Sequence, residues 1–324
     1  MTMKILSRRR KLRWSAAWVV AAVVCGGPAV AGGKKEAATP EVPFDARLVK
    51  QTGLLRKPAP KPDDEVFLLP AGTVVRVTKL EPPHTWKEEK APVALAKPDT
   101  QSTYYALRTW LQPLKPGEVV SDEVAAKLLF SEVPAARREW CMRFTRRVVL
   151  PAGAVPGGKG TLVYSAAVDD VCAGYLALVT GTGRSARVKA RARRGPLATV
   201  AVLEVPEAPP VLDVEESIRS GQESGMLRTL LGLGKPALSE LLAVELERDT
   251  LGKESRHSVR SELKLEPSGK GLDVEVRRTE KQVVLSTGAE KALGEKVSRY
   301  RYEGGKLIEV KPDTKNPSNP SSPL

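Results

Sequence analysis

A run of basic residues at positions 184–194 is the part of the chain whose residue types most clearly suggest a binding chemistry. If residues 187–193 form a β-strand, alternate side chains point to the same side about 7 Å apart, so the cations would share one face. Such a face attracts polyanions, and salt screens the attraction. The sequence therefore predicts a polyanion-binding patch at six residues, Arg184, Arg187, Lys189, Arg191, Arg193 and Arg194.

The partner expected for this patch is an anionic envelope polymer, either lipopolysaccharide or an acidic polysaccharide, and nucleic acid is not expected. Two alternatives remain open. Acidic residues on adjacent strands would turn the run into an ordinary solvated face. A helix in place of the strand would scatter the cations around its axis.

Cysteine chemistry centres on two positions. Of the three cysteines, Cys25 lies in an N-terminal segment that we expect to be removed, which leaves Cys141 and Cys172. Two cysteines in an oxidising compartment favour a disulfide between them. A pair of buried, unlinked thiols is the alternative.

The sequence has few residues that could bind a metal or catalyse hydrolysis. His84 and His257 are the only histidines, and neither has a second histidine or a cysteine at ligand spacing, so no metal site is predicted. Ser224 lacks the glycine spacing of a nucleophile elbow. No catalytic residue is predicted, and the sequence leans towards a non-enzymatic protein. An exported enzyme whose site is assembled from scattered residues remains the alternative.

Two glycine-rich loops invite a nucleotide-binding interpretation. Residues 153–161 look like the phosphate-binding loop of adenylate kinases, but Leu162-Val163-Tyr164 favours a strand where that family has a helix. Residues 181–186 resemble a dinucleotide-binding fingerprint. The residues that follow them carry cations in every helical direction, so they could not pack a helix on a sheet. Both interpretations are disfavoured, and no cofactor is expected.

The N-terminus has the organisation of a signal peptide. Six basic residues between Lys4 and Arg13 precede an uncharged stretch that ends in Ala29-Val30-Ala31. A basic region, an apolar region and a small-x-small cleavage pattern predict export to the periplasm, the outer envelope or the exterior, with cleavage after Ala31. An uncleaved anchor and lipidation at Cys25 are the alternatives, and the export route, general or twin-arginine, stays open. No transmembrane segment is expected after cleavage.

The charge of the chain does not identify a partner class. The full sequence holds 52 Lys and Arg against 38 Asp and Glu, a net charge of +14. Because residues 1–31 contain six of the basic residues and no acidic one, the expected mature chain carries +8. A charge of this size keeps a domain soluble without marking it as a nucleic-acid binder.

The elements that position these residues are predicted to be mainly strands. The fold class expected is α+β and mostly antiparallel β, with a β-rich meander domain followed by a helix pair and a C-terminal antiparallel sheet. The predicted segments are a signal peptide at 1–31, a flexible Pro/Lys/Ala-rich linker at 32–63, a β-rich domain with one short helix at 64–206, a Pro-rich linker at 207–213, a helix pair plus antiparallel sheet at 214–310 and a disordered tail at 311–324.

Three patterns carry this division. Ser121 followed by acidic residues predicts a capped helix to Leu129. Helical periodicity predicts helices over 214–231 and 237–246. Strict alternation of apolar and polar residues from 259 to 277 predicts a hairpin with one wet face. The expected buried face holds six residues, Val259, Leu263, Leu265, Leu272, Val274 and Val276.

Overall fold

Antiparallel strands dominate the structure, a computed structural model that describes residues 40–57, 65–86, 89–155, 159–167, 171–172 and 174–310. The signal peptide predicted at 1–31 and the tail predicted at 311–324 lie outside the described residues. All the described residues belong to one compact unit. The predicted fold class is confirmed, because a helix pair lies between an N-terminal β-meander region and a C-terminal antiparallel sheet.

The N-terminal sheet has seven strands within the described ranges. They are β1 (Phe44–Leu48), β2 (Thr52–Leu55), β3 (Glu65–Leu69), β4 (Val74–Trp86), β5 (Glu89–Lys97), β6 (Tyr104–Leu107) and β7 (Leu111–Pro113). Their order in the sheet is β3-β2-β6-β5-β4-β1-β7.

Strands β1 and β2 correct the linker predicted at 32–63. Ala46 and Leu48 of β1, and Leu54 and Leu55 of β2, are all buried in the core of this sheet. The Lys, Ala and Pro composition of the surrounding sequence hid two short apolar segments. Each of them finds partner strands that are distant in sequence, and these supply the hydrogen bonds that a linker would lack.

Two helices follow, α1 (Asp122–Leu129) and α2 (Ala135–Met142). Helix α1 confirms the prediction, since the Ser121 side chain accepts a hydrogen bond from the backbone N–H of Val124. Helix α2 was not predicted, because it has no side-chain cap and follows Pro134. It carries Cys141, which lies at disulfide-bonding distance from Cys172, with 5.1 Å between the Cα atoms. The cysteine pairing is thus as expected.

The next sheet has four strands, β8 (Thr145–Val149), β9 (Gly160–Ser165), β10 (Tyr175–Thr180) and β11 (Arg187–Arg193), with β11 and β8 at its edges. One face packs on the two helices and the disulfide; we call this core the helix cluster, and Val179 belongs to it. The other face packs on the C-terminal sheet; we call this core the intersheet cluster, and Leu178 belongs to it. Alternate residues of β10 therefore serve two different cores.

The C-terminal sheet is a meander of eight strands in which each strand pairs with the next. The strands are β12 (Leu197–Leu203), β13 (Val211–Ser220), β14 (Glu223–Gly232), β15 (Ser239–Leu251), β16 (Ser255–Ser268), β17 (Gly271–Val284), β18 (Glu290–Glu303) and β19 (Lys306–Glu309).

The helices predicted over 214–231 and 237–246 are wrong, because these residues form β13, β14 and most of β15. Both faces of β13 and β14 are covered. Leu231 lies in the intersheet cluster, and its neighbour Leu230 lies in a separate core on the opposite face. A strand that is buried on both faces loses its alternation, and its apolar residues then match a helical period by chance. Gly221, at φ +55°, makes the β13–β14 turn within the predicted helix.

The predicted boundaries near residue 207 also change. Strand β12, which the prediction placed in the first domain, pairs with β13 as the first strand of the C-terminal sheet. Val211, predicted to lie in a linker over 207–213, is buried in strand β13.

The alternating hairpin is confirmed. Leu263 pairs with Val276, and Leu265 pairs with Val274, on the face that packs in the C-terminal core. The opposite face is solvated and charged. There Arg301 and Arg299 reach the carboxylates of the neighbouring strand, the former binding Asp273 at 2.8 Å.

Candidate functional site

The predicted basic patch lies on β11, an edge strand, and on the short turn that precedes it. A β-bulge opposite Leu178 and Val179 leaves Lys189 without a paired residue. Before the bulge, Val188 packs on the helix cluster. After it, Ala190 packs on the intersheet cluster and Arg191 faces α1. The bulge therefore places cations on both faces, which corrects the prediction that the cations share one face.

Two cations of the patch are engaged by acidic residues. Arg191 pairs with Glu132 and also donates to the Leu128 carbonyl oxygen at 2.5 Å. Arg194 pairs with Glu240 at 2.9 Å and with Glu216 at 3.8 Å. These contacts dock the edge strand against α1 and against β15. The acidic neighbours that would make the run an ordinary face are thus present for these two residues.

The remaining four cations are more open. Arg193 lies over the ring of Tyr175, with 5.4 Å from the guanidinium carbon to the ring centroid. Arg187 donates to two carbonyl oxygens, those of Arg184 and Ala186. Arg184 and Lys189 are exposed, and no ion pair involves either of them within the described residues. Charged side chains and a bulge on an edge strand also discourage pairing with other chains.

A second candidate site arises where the C-terminal sheet splits. Residues 247–251 of β15 pair with 256–260 of β16, but residues 239–246 leave β16 and follow β14 alone. The strands on the two sides of the split therefore form two layers, β12–β15 and β16–β19. A groove of about 580 Å³ opens between the layers, and we call it the ligand groove.

One part of the ligand groove is apolar. Its walls meet the C-terminal core, which lies deeper between the same two layers. Four strands contribute the apolar lining, and its members are Leu227, Leu242, Val244, Val276 and Tyr300.

The other part of the groove is charged, with Arg248, Arg278, Lys296 and Glu245 in its lining. Glu245 lies between the two arginines, accepting from Arg248 at 2.5 Å and lying 3.3 Å from Arg278. Arg278 also pairs with Glu280 at 2.8 Å. Hydrogen bonds to Glu223 and Glu245 raise the pKa of the Arg248 guanidinium, so it keeps its charge at every pH of interest.

Lys296 is the cation of the groove with the fewest partners. It lies directly opposite Arg278 in the β17–β18 register, so two like charges stand side by side on one face. No ion pair involves Lys296 in the part of the chain that the structure describes. An anion placed between these two side chains would relieve their repulsion.

A smaller hollow of about 440 Å³ continues the groove along β18. It shares Arg278 and Lys296 with the ligand groove, and Leu293 lines its far side. Leu293 is the extra residue of a bulge in β18 and is 47% exposed. The two hollows share these two cations, and the second is lined mainly by charged residues, with Glu280 and Glu295 beside the cations and Leu293 as its one large apolar residue.

Among the described residues, the other sequence candidates do not assemble into a site. His257 lies 3.5 Å from Glu280, and no metal-binding group of three or more His, Cys, Asp or Glu occurs among the described residues. The glycines of residues 153–161 lead into β9, and those of 181–186 into β11, so a strand follows each loop where a phosphate site would need a helix. No helix in the described ranges has the length and apolarity to cross a bilayer.

Sequence reasoning missed the ligand groove entirely. Its lining comes from five strands between residues 227 and 300, and no short motif contains more than a few of its members. The one available signal was the alternation of β17, in which Arg278 stands on the apolar side after Val276.

Comparisons with protein-family models, with curated proteins and with solved structures find no match for this chain.

Proposed function

We propose that the protein is exported and acts in the cell envelope or outside the cell as a non-enzymatic binding protein for an anionic amphiphile. The observation that carries this proposal is the ligand groove, in which apolar walls from both layers adjoin three cations. An acyl or alkyl chain would lie along the walls, and the anionic head would bind between Arg278 and Lys296.

Two contributions would stabilise such a ligand in this cleft, burial of its apolar chain and hydrogen bonds to its charged head group. Each buried CH₂ group of a ligand chain contributes about 0.8 kcal/mol. The head group would gain charge-assisted hydrogen bonds from side chains that already lie side by side. Arg248 and Arg278 are in ion pairs with three glutamates, Glu223, Glu245 and Glu280, so Lys296 is the cation of the lining that is free to bind the head group.

This ligand class narrows the partner expected from the sequence. Lipopolysaccharide combines acyl chains with phosphate groups, whereas an acidic polysaccharide has no chain to fill an apolar wall. The ligand groove therefore favours lipopolysaccharide or a smaller anionic lipid. The N-terminal pattern of a basic region and an apolar region supports the same location, because such ligands reside in the envelope.

The basic strand supports a second, weaker candidate function, which is contact with a polyanion. Arg184 and Lys189 are exposed and lack an acidic partner among the described residues, and this observation keeps the candidate open. Such contact would hold the protein near an anionic surface and would not require the groove.

The decisive experiment measures binding of dodecyl phosphate, and separately of purified lipopolysaccharide, by titration calorimetry. Lys296→Glu should weaken both at least tenfold, because it places a carboxylate beside the head group. Lys306→Glu, an exposed lysine on β19, is the matched control and should bind as the parent does. Dodecanol should bind parent and variant alike, because it has no charge.

Two outcomes would overturn the proposal. Equal binding by the parent and the Lys296→Glu variant would remove the groove as the site. Chemical conversion of the bound ligand would favour the alternative of an exported enzyme.

A further inference from the structure

Three turns meet at one end of the C-terminal sheet, because alternate turns of a meander lie at the same end. The β15–β16 turn contacts both of its neighbours. The Leu251 N–H donates to the Gln222 carbonyl oxygen at 3.1 Å, and the Leu285 N–H donates to the Glu254 carbonyl oxygen at 2.9 Å. We call residues 251–256 and 281–291 the tip.

Large apolar side chains stand exposed at the tip, where turns ordinarily carry polar residues. Leu251 and Leu285 are each 47% exposed, and Val284 is 38% exposed. All three lie at the same end of the sheet, where Leu251 is opposite Arg256 on one face and Val284 is opposite Ser255 on the other face. Several large apolar side chains exposed at one end of a sheet mark an interaction surface more often than single scattered ones do.

The charged residues around these side chains indicate which kind of surface the tip could bind. The tip holds four basic residues and two acidic ones. Lys281 pairs with Glu290 at 2.8 Å, whereas Lys253 and Lys291 are exposed and take part in no ion pair within the described residues. Apolar side chains flanked by free lysines complement an anionic lipid surface. A second copy of the chain would present the same positive charge and be repelled.

We propose that the tip docks on an anionic bilayer, with Leu251, Val284 and Leu285 entering the headgroup region and Lys253 and Lys291 binding lipid phosphates. The inference goes beyond the ligand groove and does not depend on it. Docking would leave the hollow beside Leu293 near the membrane, on the same half of β18.

Vesicle co-sedimentation tests this inference on residues 40–324, which include all the described residues and every core that these residues form. Omitting residues 1–39 removes the apolar segment at 14–31, which would bind vesicles by itself. The parent should bind phosphatidylglycerol vesicles and should bind phosphatidylcholine vesicles far less. The double variant Leu251→Ser, Leu285→Ser should bind phosphatidylglycerol vesicles at least about tenfold more weakly.

The matched control is the double variant Val49→Ser, Ile308→Ser, in which the replaced side chains are 51% and 56% exposed outside the tip. It should bind as the parent does. Lys253→Glu and Lys291→Glu should each weaken binding by about fivefold or more, because each basic residue near an anionic surface contributes about 1 kcal/mol. Lys306→Glu serves as their control.

Thermal unfolding of every variant separates lost docking from lost folding. The inference is overturned if the parent does not bind phosphatidylglycerol vesicles, or if the control double variant loses as much binding as the tip double variant. A parent dimer that the tip variant abolishes, without vesicle binding, would assign the tip to a second copy of the chain instead.

Discussion

Arg147 shows how much one buried side chain can contribute to this fold. Its guanidinium is 2% exposed and lies 2.6 Å from an Asp122 carboxylate oxygen and 3.6 Å from one of Asp45. It also donates to the Val120 carbonyl oxygen at 2.7 Å. A single residue of β8 thereby links the N-terminal sheet to helix α1. Its removal would take the ion-pair partner from Asp122, whereas Asp45 would keep Arg76 at 3.0 Å.

Arg147→Met should therefore lower the free energy of unfolding by about 1 to 3 kcal/mol, because the partly exposed Asp122 carboxylate and the Val120 carbonyl oxygen both lose their donor. Urea denaturation measures this change, and Arg301→Met, which breaks an exposed pair with Asp273, is the control that should cost about 1 kcal/mol or less. An equal cost for both variants would contradict the role given to Arg147.

The pH dependence of the same variant follows from Asp122. Burial raises the pKa of its carboxyl, and Arg147 opposes that rise. Without Arg147 the pKa in the folded state should rise further above its value in the unfolded chain. An aspartate with a raised folded pKa stabilises the fold when it is protonated, so the variant should regain stability as pH falls through that raised pKa.

At the same scale, the basic run shows what the sequence could and could not predict. The basic residues and the strand that carries them could be predicted from residues 187–193 alone. Their partners are Glu132 on the loop after α1 and Glu240 on β15, which are remote in sequence. Long-range pairing and one bulge decide which cations are free, and neither has a local signature.

At the scale of elements, prediction succeeded where one face of a strand is wet. The β16–β17 hairpin keeps its alternation because charged pairs on the outer face leave only the inner face to the core. It failed for β13 and β14, which are covered on both sides. Helix α2 escaped notice because Cys141 is its only buried residue and no cap marks its start.

The hairpin offers a sharp test of this argument. Val274 is 1% exposed and packs in the C-terminal core, so Val274→Asp should destabilise the protein by about 3 kcal/mol or more by burying an unpaired charge. Val297, 44% exposed and on the outer face, provides the control Val297→Asp, which should change the melting temperature little. Similar melting temperatures for parent and Val274→Asp would show that the register is wrong.

At the scale of the whole molecule, the ligand groove is a product of topology. One continuous meander becomes two layers because β15 pairs with β16 over only five residues. Leu227, Leu242 and Val244 lay in the two helices predicted from the sequence, so their meeting with other strands could not be predicted without the register. A site of this kind carries no motif because its chemistry is distributed over the sheet.

The number of free cysteines in the whole chain depends on whether the protein is exported and cleaved. Cys141 of α2 and Cys172, 31 residues later, fasten the helix pair to the segment before β10. Closing a loop of this length stabilises the fold by about 3 to 4 kcal/mol. If the chain is exported and cleaved after Ala31, Cys25 leaves with the removed segment, and the protein recovered from the envelope or medium contains only this bonded pair.

A thiol titration of the exported protein, denatured but not reduced, should therefore find no free cysteine, and N-terminal sequencing should begin at Gly32. One free thiol would mean that Cys25 is retained and the segment is not removed. Two would mean that Cys141 and Cys172 are unlinked, which would contradict the proposed oxidising location. The double variant Cys141→Ser, Cys172→Ser should unfold at lower urea concentration, whereas Cys25→Ser should yield a mature protein identical to the parent, because the substituted residue is absent from it.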